Sequence, residues 1–311
     1  MESKFYEKKL GILGGGQLGK MLIAECNKMD ISVSVLDPSN GSPCKNICEK
    51  FECGDFKDYD TVVKFGEKCD IITFEIEHVN VDALEFLEKN GKEVYPKSKT
   101  LKIIQDKNKQ KSFFKKNSIP TANFKFFSKL SEFKSSIIQN KINFPCIWKK
   151  TKFGYDGFGV KILNSVDDID SLPETEMIIE DLIPFDKELS VIVSRNVSGE
   201  IKCYDTVEME FNKNSNQVEF VISPARIENK VNKYAKELAI KISESLDCIG
   251  LLAVEMFLYG EKILVNEIAP RPHNSGHFSI EACDSSQFQQ HLRSILNLKL
   301  GETNHKGTAI M

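Results

Sequence analysis

Residues 9–37 read KLGILGGGQLGKMLIAECNKMDISVSVLD, and this stretch decides the architecture. A short apolar run ends in three glycines. From Gln17 the pattern becomes helical, with Leu18, Met21 and Leu22 on one face, and ISVSVL then alternates apolar residues with serine. Strand, glycine turn, helix and strand in that order make a βαβ unit. Gly14, Gly16 and Gly19 match G-x-G-x-x-G, and Asp37 ends the second strand. Glycines at those positions allow a tight turn and let an anion rest on N–H groups at the helix N-terminus. The spacing therefore predicts a phosphate site, with Gln17 as an extra donor. It leaves open whether the phosphate belongs to NAD or to another phosphorylated small molecule, and a purely structural turn is the alternative.

Working outward, the apolar strand DIITFE ends at Glu75, a helix follows around VDALEFLEKN, and a short strand lies in EVYP. The first hundred residues thus read as a doubly wound sheet. From Lys99 the texture changes to one lysine-rich helix through KIIQDKNKQKSFFKK, stopped at SIPT. Strand candidates follow in FPCIWKK, EMIIEDLI, ELSVIVS, EIKCYDTVEM and VEFVIS. Two helices, KYAKELAIKISESL and SSQFQQHLRSIL, surround the strands LLAVEMFL and KILVNEIA. We expect an α/β domain over residues 1–98 and an α+β domain over 99–311.

The 311 residues are 41% hydrophobic and 28% charged, with a net charge of -3, which is ordinary globular composition. So balanced a surface offers no global field for nucleic acid, and none is expected as a partner. No run of about 18 apolar residues occurs, so no membrane span is expected. MESKFYEKK lacks a signal-peptide core, and a cytoplasmic location is expected. The nine cysteines include no C-x-x-C pair, and Cys44, Cys48 and Cys53 lack zinc-site spacing, so reduced thiols are expected. Only four of the 42 basic residues are arginine, which draws attention to each of them.

Six further segments carry chemistry. KKTKFGYDGFGV, residues 149–160, reads as a glycine-rich hairpin whose Gly154, Gly157 and Gly159 N–H groups can close over phosphates, with Lys149 as a point charge; a plain hairpin tip is the alternative. Glu255 and Glu267 stand in two strongly apolar segments that read as adjacent strands. A buried carboxylate needs a partner, and two carboxylates with the Asn266 amide suit magnesium, whereas an ion pair with lysine is the plainer reading. Glu180 and Glu188 flank DLIPFDK and suit ribose hydroxyls. APRPHNSGH, residues 269–277, gathers Arg271, His273, Asn274 and His277 in one loop suited to an anionic substrate. Pro272 and Gly276 argue against the helix that a zinc pair of those histidines would need. FEIEH, residues 74–78, ends a strand on the ligand side of a doubly wound sheet.

Taken in order, GGGQLGKM, FEIEH, KTKFGYDGFGV, IIEDLIPFDKE, AVEMF, VNEIAPRPHNSGH and SQFQQHLR resemble the 5-(carboxyamino)imidazole ribonucleotide synthases of the ATP-grasp superfamily, over nearly the whole chain. The resemblance implies a Rossmann-like pre-ATP-grasp domain followed by an ATP-grasp domain with a lid subdomain at about 120–182. It implies ATP-dependent carboxylation of 5-aminoimidazole ribonucleotide by bicarbonate, through carboxyphosphate, in purine biosynthesis, by a homodimer. In the family's pattern Lys107 and Lys149 hold ATP phosphates under Gly154, Tyr155, Asp156, Gly157, Phe158 and Gly159. Glu180, Asp181, Leu182, Ile183 and Glu188 frame adenosine, with Phe211 and Asn266 nearby. Glu255 and Glu267 carry magnesium. The ribonucleotide falls to Gly16, Gln17, Leu18, Glu75, Tyr155, His273 and Asn274; Arg271 faces bicarbonate, and Asp156 orients or deprotonates the amine. Phe158 stands where the family usually has a basic residue, and Phe211 where many members have histidine. The family continues beyond the strand matching GTAIM into a small C-terminal domain, so the resemblance implies that this domain is largely absent here and that ribonucleotide binding is weakened.

Overall fold

The computed structural model describes residues 5–152, 159–212 and 218–311. The opening stretch folds as read: β1 (Leu10–Leu13), α1 (Gln17–Lys28) and β2 (Val33–Asp37). The chain continues through β3 (Lys50–Cys53), α2 (Tyr59–Gly66), β4 (Ile71–Phe74), α3 (Val81–Lys89) and β5 (Glu93–Val94). These strands form a parallel sheet in the order β3-β2-β1-β4-β5, so the topological switch lies between β1 and β4, and Gly14 and Glu75 stand at its carboxyl edge. β3 escapes the sequence pattern because it is a half-exposed edge strand, KFEC, with no apolar alternation.

The lysine-rich segment is two helices rather than one, α4 (Ser98–Ile104) and α5 (Lys107–Lys116). Asp106 breaks it. Its carboxylate accepts from the N–H groups of Asn108 at 3.0 Å and Lys109 at 3.1 Å, and this N-cap competes with helix continuation.

A four-stranded antiparallel sheet comes next, built from β6 (Phe124–Phe127), β7 (Cys146–Lys150), β8 (Val160–Leu163) and β9 (Met177–Asp181) in the order β6-β9-β7-β8. Helix α6 (Leu130–Ile138), not read from the sequence, covers the face that carries Trp148, Met177 and Ile179. Because side chains alternate along a strand, Lys149 and Glu180 emerge on the opposite face.

The third sheet joins β10 (Lys187–Arg195), β11 (Ile201–Cys203), β12 (Val207–Phe211), β13 (Val218–Ser223), β14 (Gly250–Tyr259), β15 (Lys262–Ala269) and β16 (Ala309–Ile310). The expected strand EIKCYDTVEM divides between β11 and β12, because Tyr204 turns inward and its hydroxyl donates to the Ser285 carbonyl at 2.8 Å. One face of this sheet packs on α7 (Asn229–Leu246) through Leu189, Val191, Leu252, Val254 and Met256. The other face is apolar at Ile192, Leu251 and Ala253, then turns polar at Ser190, Glu188, Glu255 and Glu267. The chain passes through α8 (Ser279–Ala282) into α9 (Gln287–Ile295), which lies against the first sheet: Phe288, Leu292 and Ile295 share a core with Leu22 and Ile23 of α1. The loop before α9 is thereby held beside the edge where Glu75 lies. Among the described residues no helix is long and apolar enough to cross a membrane.

Candidate active site

Two lysines meet one carboxylate behind the four-stranded sheet. Glu180 Oε2 lies 2.9 Å from Lys149 Nζ and Glu180 Oε1 lies 3.1 Å from Lys111 Nζ, with side chains between 2% and 8% exposed. Burial opposes the charge on Glu180, yet Lys149 and Lys111 hold its carboxyl below the ordinary range. Burial pulls the Lys111 ammonium down to about 8. The Glu180 carboxylate thus faces two ammonium groups near the end of β9. Lys111 was missed in the sequence, although it follows Lys107 by one helical turn and shares its face.

Beside this triad, Lys149 Nζ donates to Asn266 Oδ1 at 3.0 Å, and Lys107 Nζ to Glu267 Oε2 at 2.5 Å. The Lys107 N–H donates to the Thr151 carbonyl at 2.8 Å, tying the start of α5 to the end of β7. Lys107 chiefly holds the Glu267 carboxyl well below its usual range. The Glu267 side chain is 41% exposed, so the pair stays within reach of solvent. Glu255 and Glu267 sit directly opposite each other on β14 and β15, so both carboxylates leave the same face. Glu188 joins them from β10: burial, then the Glu255 charge, pushes its carboxyl up to about 7. That side of the cluster is short of positive charge. Among the described residues no three His, Cys, Asp or Glu side chains form a ready metal cage. The arrangement suits an ion that draws its remaining ligands from substrate phosphates, as magnesium does.

The glycine turn differs from its reading as a phosphate site. Glu75, at the end of β4, accepts from the N–H groups of Gly16 at 2.9 Å and Gly19 at 3.3 Å, and Asp37 accepts from Gly15 at 2.8 Å. The chain's own carboxylates occupy the donors that a dinucleotide pyrophosphate would need, and Asp37 is spent on the turn. Burial pushes the Glu75 carboxyl up, although those N–H groups and the nearby Arg271 pull it down. Gly14 is at φ +93, and a Cβ there would meet Glu75 Oε1 at 2.6 Å, so this close approach requires glycine. Gln17 is exposed and Leu18 half-buried in the first turn of α1, open to the same edge.

Arg271 bridges the two halves of the chain, its Nε 3.1 Å from Glu77 Oε1 of FEIEH. Next to it, His273 Nε2 lies 3.1 Å from Glu255 Oε1, and its Nδ1 lies 2.8 Å from Ser275 Oγ. The Ser275 N–H points at Nδ1 as well, so Nδ1 accepts and Nε2 carries the proton toward Glu255. His273 is buried, whereas Asn274 is exposed. Asp181 is exposed and accepts from Asn123 at 2.8 Å, and Leu182 and Ile183 follow β9 half-buried. Phe211 packs against the apolar cluster of Tyr204, Met209 and Phe278. Gly159 is at φ +79 and its carbonyl accepts from the Lys150 N–H at 2.8 Å. Gly154, Tyr155, Asp156, Gly157 and Phe158 lie outside the described residues.

Residues 112–288 match the family model of the ATP-grasp domain, and residues 7–105 that of the ribonucleotide synthetase preATP-grasp domain. Fold and site together define an ATP-grasp protein. The chain is 36% identical to the N5-carboxyaminoimidazole ribonucleotide synthase of Bacillus subtilis, over 95% of this chain and 78% of the relative. It is 38% identical to the chloroplastic phosphoribosylaminoimidazole carboxylase of Vigna aconitifolia, over 98% of this chain, and spans about half of that relative, 55%. A solved N5-carboxyaminoimidazole synthase from Aspergillus clavatus, in complex with ADP and 5-aminoimidazole ribonucleotide, superposes with a TM-score of 0.91 at 34% identity, covering 99% of this chain and 82% of that one. The chain belongs to the N5-carboxyaminoimidazole ribonucleotide synthase family.

Proposed function

We propose that this chain carries out ATP-dependent carboxylation of 5-aminoimidazole ribonucleotide by bicarbonate, releasing ADP and phosphate. One observation supports this above the others: Lys107 pairs with Glu267 and Lys149 donates to Asn266, beside the opposed carboxylates of Glu255 and Glu267 and immediately before the loop that carries Arg271 and His273. Lys107 and Lys149 would hold the ATP phosphates. Glu255, Glu267 and the Asn266 oxygen would hold magnesium, which when bound offsets phosphate charge.

Bicarbonate is a poor electrophile. Transfer of the terminal phosphoryl group of ATP to a bicarbonate oxygen gives ADP and carboxyphosphate, whose carbon then has phosphate as a leaving group. Attack by the exocyclic amine of the ribonucleotide forms the C–N bond, breaks the bond to phosphate and releases one proton. Arg271, held by Glu77, presents a fixed guanidinium to the planar anion and to the charge that develops on it. Glu75, Gln17, His273 and Asn274 line the edge that takes the ribonucleotide, and Asp156 orients or deprotonates its amine. Division of the chain at Ser98, the lid over residues 120–182, a homodimeric state and a cytoplasmic site of action belong to the same proposal.

The test is ADP release by the purified chain with ATP and magnesium, with and without the ribonucleotide, at varied bicarbonate. Release that requires both co-substrates is expected. Release indifferent to the ribonucleotide would overturn the assignment while leaving an ATP-binding protein.

A further inference from the structure

Gln287 opens α9 and is fully buried, an unusual place for a carboxamide. Its Oε1 accepts from the His273 N–H at 2.9 Å, and its Nε2 donates to the His273 carbonyl at 2.7 Å and lies 3.0 Å from His277 Nδ1. One side chain thus grips both backbone groups of His273 and the imidazole four residues on. The rest of the loop is fitted to it. A Cβ on Gly276 would stand 2.6 Å from Gln287 Oε1 and 2.7 Å from its Cδ, so glycine at 276 leaves the room that the amide occupies. The Gln287 N–H donates to Ser279 Oγ at 2.8 Å, and that hydroxyl donates to the Gly276 carbonyl at 2.5 Å. One turn along α9, the fully buried His291 lies 2.9 Å from Thr73 Oγ1 of β4 and receives the Leu251 N–H at Nδ1, which fixes the helix to both sheets.

We propose that Gln287 is a positioning residue: it sets the His273–His277 loop in the conformation that presents His273 and Asn274 to the ribonucleotide. This rests on the function proposed above. A carboxamide suits the task because it offers a donor and an acceptor in one plane, matching the N–H and C=O of a single residue. Its partners are His273 and His277 rather than Lys107 or Lys149, and the ATP side is reached only through the His273 contact with Glu255 at 3.1 Å, so the larger effect falls on the ribonucleotide.

The experiment compares wild type, Gln287→Ala and Gly276→Ala, with KM and kcat measured separately for ribonucleotide and ATP below the melting temperature of each protein. We expect the ribonucleotide kcat/KM to fall roughly tenfold or more in both variants, with the KM for ATP within about twofold of wild type. Gly276→Ala displaces the amide without removing it, so it reports on the same grip if Gln287→Ala folds poorly. In Gln287→Ala/Gly276→Ala the two losses should fall short of adding, because the second substitution finds nothing left to displace. Equal kinetics in wild type and both single variants would overturn the inference, as would KM values that rise equally for both substrates. A wild-type chain with no ribonucleotide-dependent turnover would instead defeat the underlying reading, and this proposal with it.

Discussion

Replacing Glu180 by glutamine tests the buried triad. The substitution keeps shape and removes the charge that faces Lys111 at 3.1 Å and Lys149 at 2.9 Å. Each ammonium keeps one neutral partner, Thr121 Oγ1 at 2.7 Å for Lys111 and Asn266 Oδ1 at 3.0 Å for Lys149, but no anion in direct contact. Breaking a buried pair from one side costs about 3–5 kcal/mol. A second route gives the same range: neutralising one lysine of ordinary pKa at pH 7 costs about 4.6 kcal/mol. Lys111→Met, by contrast, leaves Glu180 and Lys149 as a one-to-one pair and should cost within about 1–2 kcal/mol. With about 2 °C per kcal/mol for a protein of this size, Glu180→Gln should melt about 6–10 °C below wild type and Lys111→Met about 2–4 °C below. The Glu180→Gln deficit should shrink by about 1.4 kcal/mol from pH 7 to pH 8, as the orphaned lysine loses its proton more easily, and level off above that, where Lys111 of the wild type, pulled down to about 8, gives up its own proton. Calorimetry at both pH values reads these quantities. Equal melting of the two variants, or a Glu180→Gln deficit that grows with pH, would refute the reasoning.

Three other outcomes follow from the same geometry. Burial pulls His291 down to about 4, so it folds neutral, and its contribution is complete above the unfolded value near 6.5 and lost as pH falls toward 4, by up to about 3 kcal/mol; His291→Gln should flatten the stability profile over that window in urea titrations, and an unchanged slope would count against it. Arg271→Lys keeps the charge but loses the planar fork, so kcat should fall on the order of a hundredfold while ATP binding by calorimetry stays intact. Glu267→Gln should abolish the magnesium dependence of ATP binding and lower kcat on the order of a hundredfold, and an unaltered magnesium titration would remove Glu267 from the metal site.

The sequence carried the βαβ start because glycine spacing and helical periodicity are local properties, and β14 and β15 because both are strongly apolar. What it hid was non-local. No pattern in KFEC marks an edge strand, since edge positions carry no burial signal. Asp106 looked like one more polar residue in a lysine-rich run until its carboxylate capped α5. G-x-G-x-x-G promised free N–H groups, and only the fold shows Glu75 arriving from 56 residues beyond Gly19 to occupy them. Glu255 and Glu267 were legible as buried carboxylates, but their direct opposition needs the strand register. Lys111 and Gln287 were invisible as site residues because their roles lie in what they hold.

The central claim is that bicarbonate takes the phosphoryl group before the amine attacks. Turnover in 18O-labelled bicarbonate, with the phosphate product read by mass spectrometry, tests it most directly. One labelled oxygen is expected in each phosphate released during ribonucleotide-dependent turnover; phosphate carrying no label would overturn this order of steps.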